Sequence, residues 1–246
     1  MFRISPFRLS TFRRCRRQYK YRYVEHIPSE PSASETMGQH VHTTLRDLML
    51  LPEEYRTPAR AIALLRGHWS RNRAGFRGLA EEARWRARAM DQLDRFTHTE
   101  HVVGHPVALE RYIESDLSSR IRLMGRIDRI DQDGDGLHVM DYKTSRQPED
   151  VDGEQLHLYA MMVSRQDNRP VTKATFTYLE DGTSWSTNPT DATLGQTAEG
   201  VVEAVEAISG ERQYQPTIGR HCAFCEFQRI CPKREEIVGR RLTEGW

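Results

Sequence analysis

No apolar run in this chain approaches the length of about 20 residues that crosses a bilayer. The N-terminus also lacks the uninterrupted apolar segment of a secretory signal, so a soluble, cytoplasmic protein without a membrane partner is expected. Cysteine is scarce: four residues cannot staple 246, which excludes a disulfide scaffold. Charge of one sign is missing too. Lys+Arg 36 and Asp+Glu 35 leave +1, so no global field recruits a polyanion, and any nucleic-acid contact must rest on local patches. Internal repeats and long low-complexity tracts are absent, which excludes solenoids. What remains is a chain long enough for one domain with a helical insert and a core of its own.

The local patch exists at the start. Between Met1 and Val24 stand eight basic residues and no acid, interleaved with Phe2, Phe7, Phe12, Tyr19, Tyr21 and Tyr23. Such a mixture suits phosphates and bases, although Arg-rich starts also occur in transit peptides. A short helix carrying Cys15 is expected there. After a loop rich in Pro, Ser and Glu, a helix is expected from Met37 to about Leu51. His40 and His42, two apart, face different sides of it, and either one alone reads as an ordinary surface or core histidine. Residues 57–99 read as two helices broken near Gly75 and Gly78, an inserted helical layer whose arginines read as a solvated face. Val107 to Glu114 alternates as a strand that carries Glu110. Past residue 143, the pattern predicts a helix over 154–165, a strand over 171–179, a short strand over 183–187 and a helix over 193–208. The order implies an α/β core with a mixed sheet.

The stretch from Gly125 to Lys143 concentrates the chemistry. Ile121, Leu123, Ile127 and Ile130 mark one strand, Leu137, Val139 and Tyr142 the next, and Asp133-Gly134-Asp135-Gly136 the turn between them. Alternation puts Asp141 and Lys143 on one face and Tyr142 on the other. With Asp128 from the partner strand they would form two carboxylates and an ammonium, a set that suits a hard divalent cation with a Lys beside the attacking water. Two plainer readings stand beside it. An isolated D-x-K is commonly a salt bridge. Asp131, Asp133, Asp135 and Gly136 also fit the first positions of a calcium loop, but position 12 is Tyr142 and the flanks are strands, so the DGDG reads as a turn.

Near the C-terminus, Cys222, Cys225 and Cys231 form C-x2-C-x5-C, with Cys15 far upstream. Four thiolates point to a metal. Structural zinc ordinarily takes two C-x2-C pairs and this chain has one, whereas a cubane cluster tolerates uneven spacing and a Pro after the last Cys. Spacing alone leaves an iron–sulfur cluster, zinc and free thiols open.

The motifs G-x-x-x-H (Gly38 to His42), G-x-x-D-R (Gly125 to Arg129), D-x-K (Asp141 to Lys143), Q-x-x-x-Y (Gln155 to Tyr159) and the cysteines occur in this order. In that order the chain resembles the RecB-like branch of the PD-(D/E)XK nucleases. It looks particularly like stand-alone iron–sulfur members, which include CRISPR-adaptation exonucleases and AddB-type nuclease domains. The resemblance implies a restriction-endonuclease-like α/β fold: a mixed sheet flanked by helices, with a helical insert and an iron–sulfur clamp joining the N- and C-termini. One nuclease domain is expected over 1–246, made of an N-terminal segment (1–35), a helical layer (36–105), a catalytic core (106–190) and a C-terminal helix with the cysteine cluster (191–246).

It further implies that His42, Asp128 and Asp141 bind Mg2+ or Mn2+ with help from the Tyr142 carbonyl, and that Lys143 acts on the attacking water. Gln155 and Tyr159 would shape the DNA side, with Glu110 as an extra acid. Cys15, Cys222, Cys225 and Cys231 would hold a [4Fe–4S] cluster. Ile127 stands where many relatives have Pro, and Asp141 where many have Glu. The implied activity is metal-dependent cleavage of DNA, with single strands or ends as substrate and exonuclease action, in repair, recombination or CRISPR adaptation, beside a helicase or CRISPR-integrase partner. The alternative is a non-catalytic iron–sulfur DNA-binding subunit of a larger repair complex.

Overall fold

A hairpin over residues 121–143 forms the middle of the sheet, as its alternating apolar residues and its turn require. The computed structural model describes residues 1–245; the expected domain end at Trp246 lies outside them. In chain order the elements are β1 (Phe2–Ile4), α1 (Pro6–Arg14), α2 (Arg16–Tyr19), α3 (Ala33–Met49), α4 (Pro58–Trp69), α5 (Leu79–Thr97), β2 (Pro106–Asp116), β3 (Ile121–Asp133), β4 (Gly136–Lys143), α6 (Glu154–Asp167), β5 (Val171–Tyr178), β6 (Thr183–Thr187), α7 (Asp191–Gly210) and α8 (Arg234–Glu244). Among the described residues no helix is long and apolar enough to cross a membrane.

The six-stranded sheet is mixed and flanked by helices, a restriction-endonuclease-like architecture. β3 pairs antiparallel with β2 along one edge. Its other edge is shared: β1 runs parallel to residues 121–123, and β4 pairs with residues 129–133. Among the described residues, 124–128 therefore have no strand partner on that edge, and the sheet opens there. β4 continues parallel to β5, and α6 makes the crossover that a parallel pair requires. Gly134, at φ +54°, closes the DGDG turn, a backbone conformation that L side chains rarely adopt.

Two cores lie on the two faces. Ile127, Ile130, Val139 and Phe176 pack with Leu156, Tyr159 and Met162 of α6, Val201 and Val205 of α7, and Leu9 and Phe12 of α1. On the other face Met37, Val41 and Leu45 of α3 join Leu65 and Trp69 of α4, Leu93 and Phe96 of α5, and Tyr142. The helical layer thus builds a core of its own against one side of the sheet.

Local chemistry explains where the helices begin. α3 starts at Ala33, four residues before the expected Met37, because Ser32 and Glu35 form a capping box. Thr57 caps α4, which has Pro58 at its first position, where the missing N–H is harmless. Cys15 is not inside a helix: it sits extended, at φ −159°, in the break between α1 and α2. β1 and α8 carry too short or too polar a pattern to be anticipated.

The chain ends meet. Arg22 pairs with Glu226, Gln18 donates to Glu226 at 2.9 Å, and the Tyr21 hydroxyl donates to the Ile230 carbonyl at 3.1 Å. The Tyr21 and Phe227 rings add an edge contact with centroids 5.5 Å apart.

Candidate active site

The opening between β3 and β4 places the first carboxylates. The ladder ends at the Arg129–Met140 pair, so Asp128 and Asp141 stand opposite each other just past the last bonded rung. Asp128 Oδ2 accepts from the Tyr142 N–H at 2.7 Å, which fixes the carboxylate and satisfies an amide the ladder has left behind. Its other oxygen lies 3.0 Å from His42 Nδ1. Helix α3 therefore delivers His42 to the site from the helical layer. His40 turns the other way: it is buried, 4.8 Å from the Trp69 ring centroid, with Nε2 2.8 Å from the Asn72 carbonyl.

Glu110 completes a donor set. One ligand atom each from His42, Glu110 and Asp128 lies within 4.8 Å of the others. The β2–β3 register runs Leu109 with Arg129 and Arg111 with Ile127, so Glu110 faces Asp128 across the strands. Its φ of +49° is strained for a side chain that carries a Cβ. The alternation expected of a plain strand is broken at this residue, in a way that turns it toward the site.

Asp141 belongs to a second, connected group. Gln155 Nε2 donates to Asp141 Oδ1 at 2.7 Å and to the Tyr159 hydroxyl at 3.1 Å, while Gln155 Oε1 accepts from Lys143 Nζ at 2.7 Å. Lys143 Nζ is also 2.6 Å from Asp141 Oδ2, yet that buried oxygen has no hydrogen bond of good geometry. The Lys143 ammonium stands over the Phe176 ring, 4.6 Å from its centroid. A single glutamine thus holds both members of the D-x-K. Gly125 allows this: a Cβ there would lie 2.7 Å from a Tyr159 ring carbon, so only glycine lets the ring settle on β3.

The electrostatics follow from burial and crowding. Burial pushes the Asp141 carboxyl above the usual range; Lys143 opposes this and Asp128 adds to it. Glu110 is raised for the same reasons, burial first and Asp128 second. For His42, burial disfavours the imidazolium, but Asp128, Asp141 and Glu110 outweigh it and push the ring up to about 9. Burial drives the Tyr159 hydroxyl far up, so it stays neutral while accepting from Gln155. Crowded carboxyls that resist ionisation, a protonated imidazole bonded to one of them and an under-satisfied oxygen are what a divalent cation would relieve. The residues fit such an ion.

Residues 3–232 match the PD-(D/E)XK nuclease superfamily. The chain belongs to that family. No curated protein matches it. Among solved structures, a protein from Eubacterium rectale provisionally named an exonuclease is 11% identical, with a TM-score of 0.56 over 93% of this chain and 89% of that one. The crystal structure of SSO0001 is 15% identical over 94% of this chain and 86% of that one; its TM-score of 0.47 is too low to carry an argument. The first likeness concerns the fold alone. Membership of the PD-(D/E)XK superfamily supports a nuclease.

In this PD-(D/E)XK chain the structure brings His42, Glu110 and Asp128 together as one group and Asp141, Lys143, Gln155 and Tyr159 as the next. The plain salt-bridge reading of D-x-K is half right, since Lys143 does sit on Asp141. The calcium-loop reading is not supported, because Asp131 is buried on the Arg129 guanidinium and Asp133 accepts from Thr172 at 2.5 Å. Tyr142 sends its ring into the helical-layer core, leaving only its backbone at the site.

The four cysteines form no disulfide with one another and line one cavity between α2 and the C-terminal turns, together with Tyr21 and Phe227. Burial pushes the Cys225 thiol up to about 11. Phe176 had no signal of its own, because an aromatic in a strand reads as core until the register places it; Phe7, one of six rings in the basic N-terminal segment, lines the groove beside Lys143.

Proposed function

We propose that this chain is a divalent-metal-dependent deoxyribonuclease that prefers single strands and acts as an exonuclease. The reading is carried by one observation: donor atoms of His42, Glu110 and Asp128 converge within 4.8 Å of one another, and Asp128 also accepts from the N–H of Tyr142, the residue next to Lys143 on β4. An imidazole among carboxylates favours Mn2+ over Mg2+, which prefers oxygen alone. The ion would be held by His42, Glu110, Asp128 and Asp141, and when bound it would polarise the scissile phosphate and lower the pKa of a water. Lys143 orients the nucleophile and offsets charge developing on the phosphate, and Gln155 keeps it on station. Phosphate contacts from the basic N-terminal segment supply affinity without sequence readout.

The test compares wild type, Lys143→Ala and Asp128→Ala on labelled single- and double-stranded DNA with Mg2+ or Mn2+. Cleavage by the wild type alone, faster on single strands, is the expected result. Equal degradation by all three sinks the assignment, and binding without cutting under either metal assigns a non-catalytic DNA-binding subunit instead.

Within the same proposal, the chain works as one cytoplasmic domain in repair, recombination or CRISPR adaptation, beside a helicase or integrase partner, and Cys15, Cys222, Cys225 and Cys231 hold a [4Fe–4S] cluster. The shared cavity supports four-thiolate ligation, with the cluster tying α2 to the C-terminal turns. Visible absorption with bound iron, lost in Cys225→Ala, is expected; a colourless protein with stoichiometric zinc refutes the cluster.

A further inference from the structure

One exposed aromatic by itself signifies nothing. Phe7 differs from the other rings of the N-terminal segment in exposure and in place. Phe12, Tyr19 and Tyr21 are buried, while Phe7 is 54% exposed. It lines a groove of about 660 Å3 whose other walls include Lys143, Gln155 and Tyr159. That volume lies in the range of sites that enclose a small ligand, about 300–1,000 Å3.

The ring is held from behind. The Arg22 guanidinium stands over it, 5.0 Å from the centroid. Arg22 is itself paired with Glu226, the residue after Cys225, so the support runs from the cysteine-lined cavity to the groove. From the other side Phe7 is the second residue of α1, behind Pro6 and the capping Ser5, and its carbonyl accepts from Thr11 Oγ1 at 2.7 Å. Its backbone is therefore fixed while most of its ring is offered to solvent. Arg126, its side chain 66% exposed, lines the same groove and lies 3.7 Å from Glu110. Of the groove's three acids, Asp150, Asp152 and Glu154, Glu154 pairs with Arg13 and Asp152 accepts from the Glu154 N–H at 2.9 Å.

We propose that Phe7, backed by Arg22, is the stacking wall for an unpaired base in the groove that leads to Lys143. The inference rests on the nuclease reading and deepens it by naming the side chain that engages an unpaired base. A base inside a duplex has its faces covered by its neighbours, so such a wall engages only an unpaired or terminal base.

The experiment measures binding by fluorescence anisotropy in a Lys143→Ala background, with an oligothymidylate and an abasic oligomer of equal length. The parent binds the base-bearing strand about tenfold more tightly, the order expected for one stacked base. Phe7→Ala and the volume-conserving Phe7→Leu bring the two affinities within about twofold, whereas Phe7→Trp keeps the difference. Phe7→Leu serves if the alanine variant unfolds, since it keeps apolar bulk against Arg22 and removes only the π face. A parent that binds both oligomers equally, or a Phe7→Leu variant that keeps the parent's preference, overturns the proposal. Failure of the nuclease reading is seen separately, as absence of cleavage by the unsubstituted protein while the base-to-abasic ratio is still measured.

Discussion

Gly125→Ala and Gly38→Ala separate two glycines that the motifs treat alike. At Gly125 the added Cβ would lie 2.7 Å from Tyr159 Cε1 and 3.4 Å from Met162 Cε. Carbon atoms prefer about 3.5–4.0 Å, so the ring must retreat by roughly 0.8 Å or the strand must bend. Overpacking of that kind costs about 1–3 kcal/mol, a Tm loss of about 2–12 °C for a chain of this size. The chemical loss is larger than the stability loss. Tyr159 anchors Gln155, and Gln155 holds Asp141 and Lys143, so a shift near 1 Å propagates to the reacting groups and lowers cleavage by about a hundredfold. At Gly38, inside α3, the nearest atom to an added Cβ is Thr144 Oγ1 at 3.5 Å, an ordinary contact. Gly38→Ala therefore keeps activity and gains about 0.5–1 kcal/mol from helix propensity. Thermal melting and initial rates on single-stranded DNA with Mn2+ measure both effects. A Gly125→Ala protein as active as wild type, or a Gly38→Ala protein as damaged as Gly125→Ala, refutes the argument from ring placement.

Glu110→Gly removes a strained αL side chain and a carboxylate that crowds Asp128, so calorimetry should show weaker Mn2+ binding together with an unchanged or higher Tm. Asp131→Ala strips the buried Arg129 of its carboxylate partner and is expected to cost about 3–5 kcal/mol in urea unfolding, whereas replacing both residues by apolar ones costs much less. Burial, aided by Lys173, holds His138 down at about 4. The unfolded chain therefore takes up its proton first, and stability that is full above about pH 6.5 falls as pH drops toward 4, by about 3 kcal/mol at most. Because Asp141 and Glu110 titrate with the opposite sign, the check is the difference between wild type and His138→Gln; equal slopes would remove His138 from the account.

Much of the architecture is readable from the chain itself. The hairpin, the two helices of the insert and the crossover helix all announce themselves by periodicity and turn residues, and each forms within a few residues of its expected place. The motif residues are readable as well, because Asp128, Asp141 and Lys143 differ in type from the apolar strands around them. β1 was not readable, since three residues hold no period and become a strand only when residues 121–123 offer an edge. Nor was the bend at Glu110, whose φ is set by the site it faces rather than by its neighbours in sequence.

The amino-acid sequence by itself determined which residues can alternate, which can turn, and which carry charge or sulfur. These are properties of a residue and its near neighbours. Only the tertiary structure decided that His42 and not His40 meets Asp128, that Glu110 joins them, and that Asp141 is held with Lys143 by Gln155. It also decided that Cys15 and three cysteines more than two hundred residues away line one cavity. Those groupings depend on strand register and on helices packed from opposite faces of the sheet. They bring together groups from 12 to more than two hundred positions apart, a distance over which no periodicity in the sequence survives.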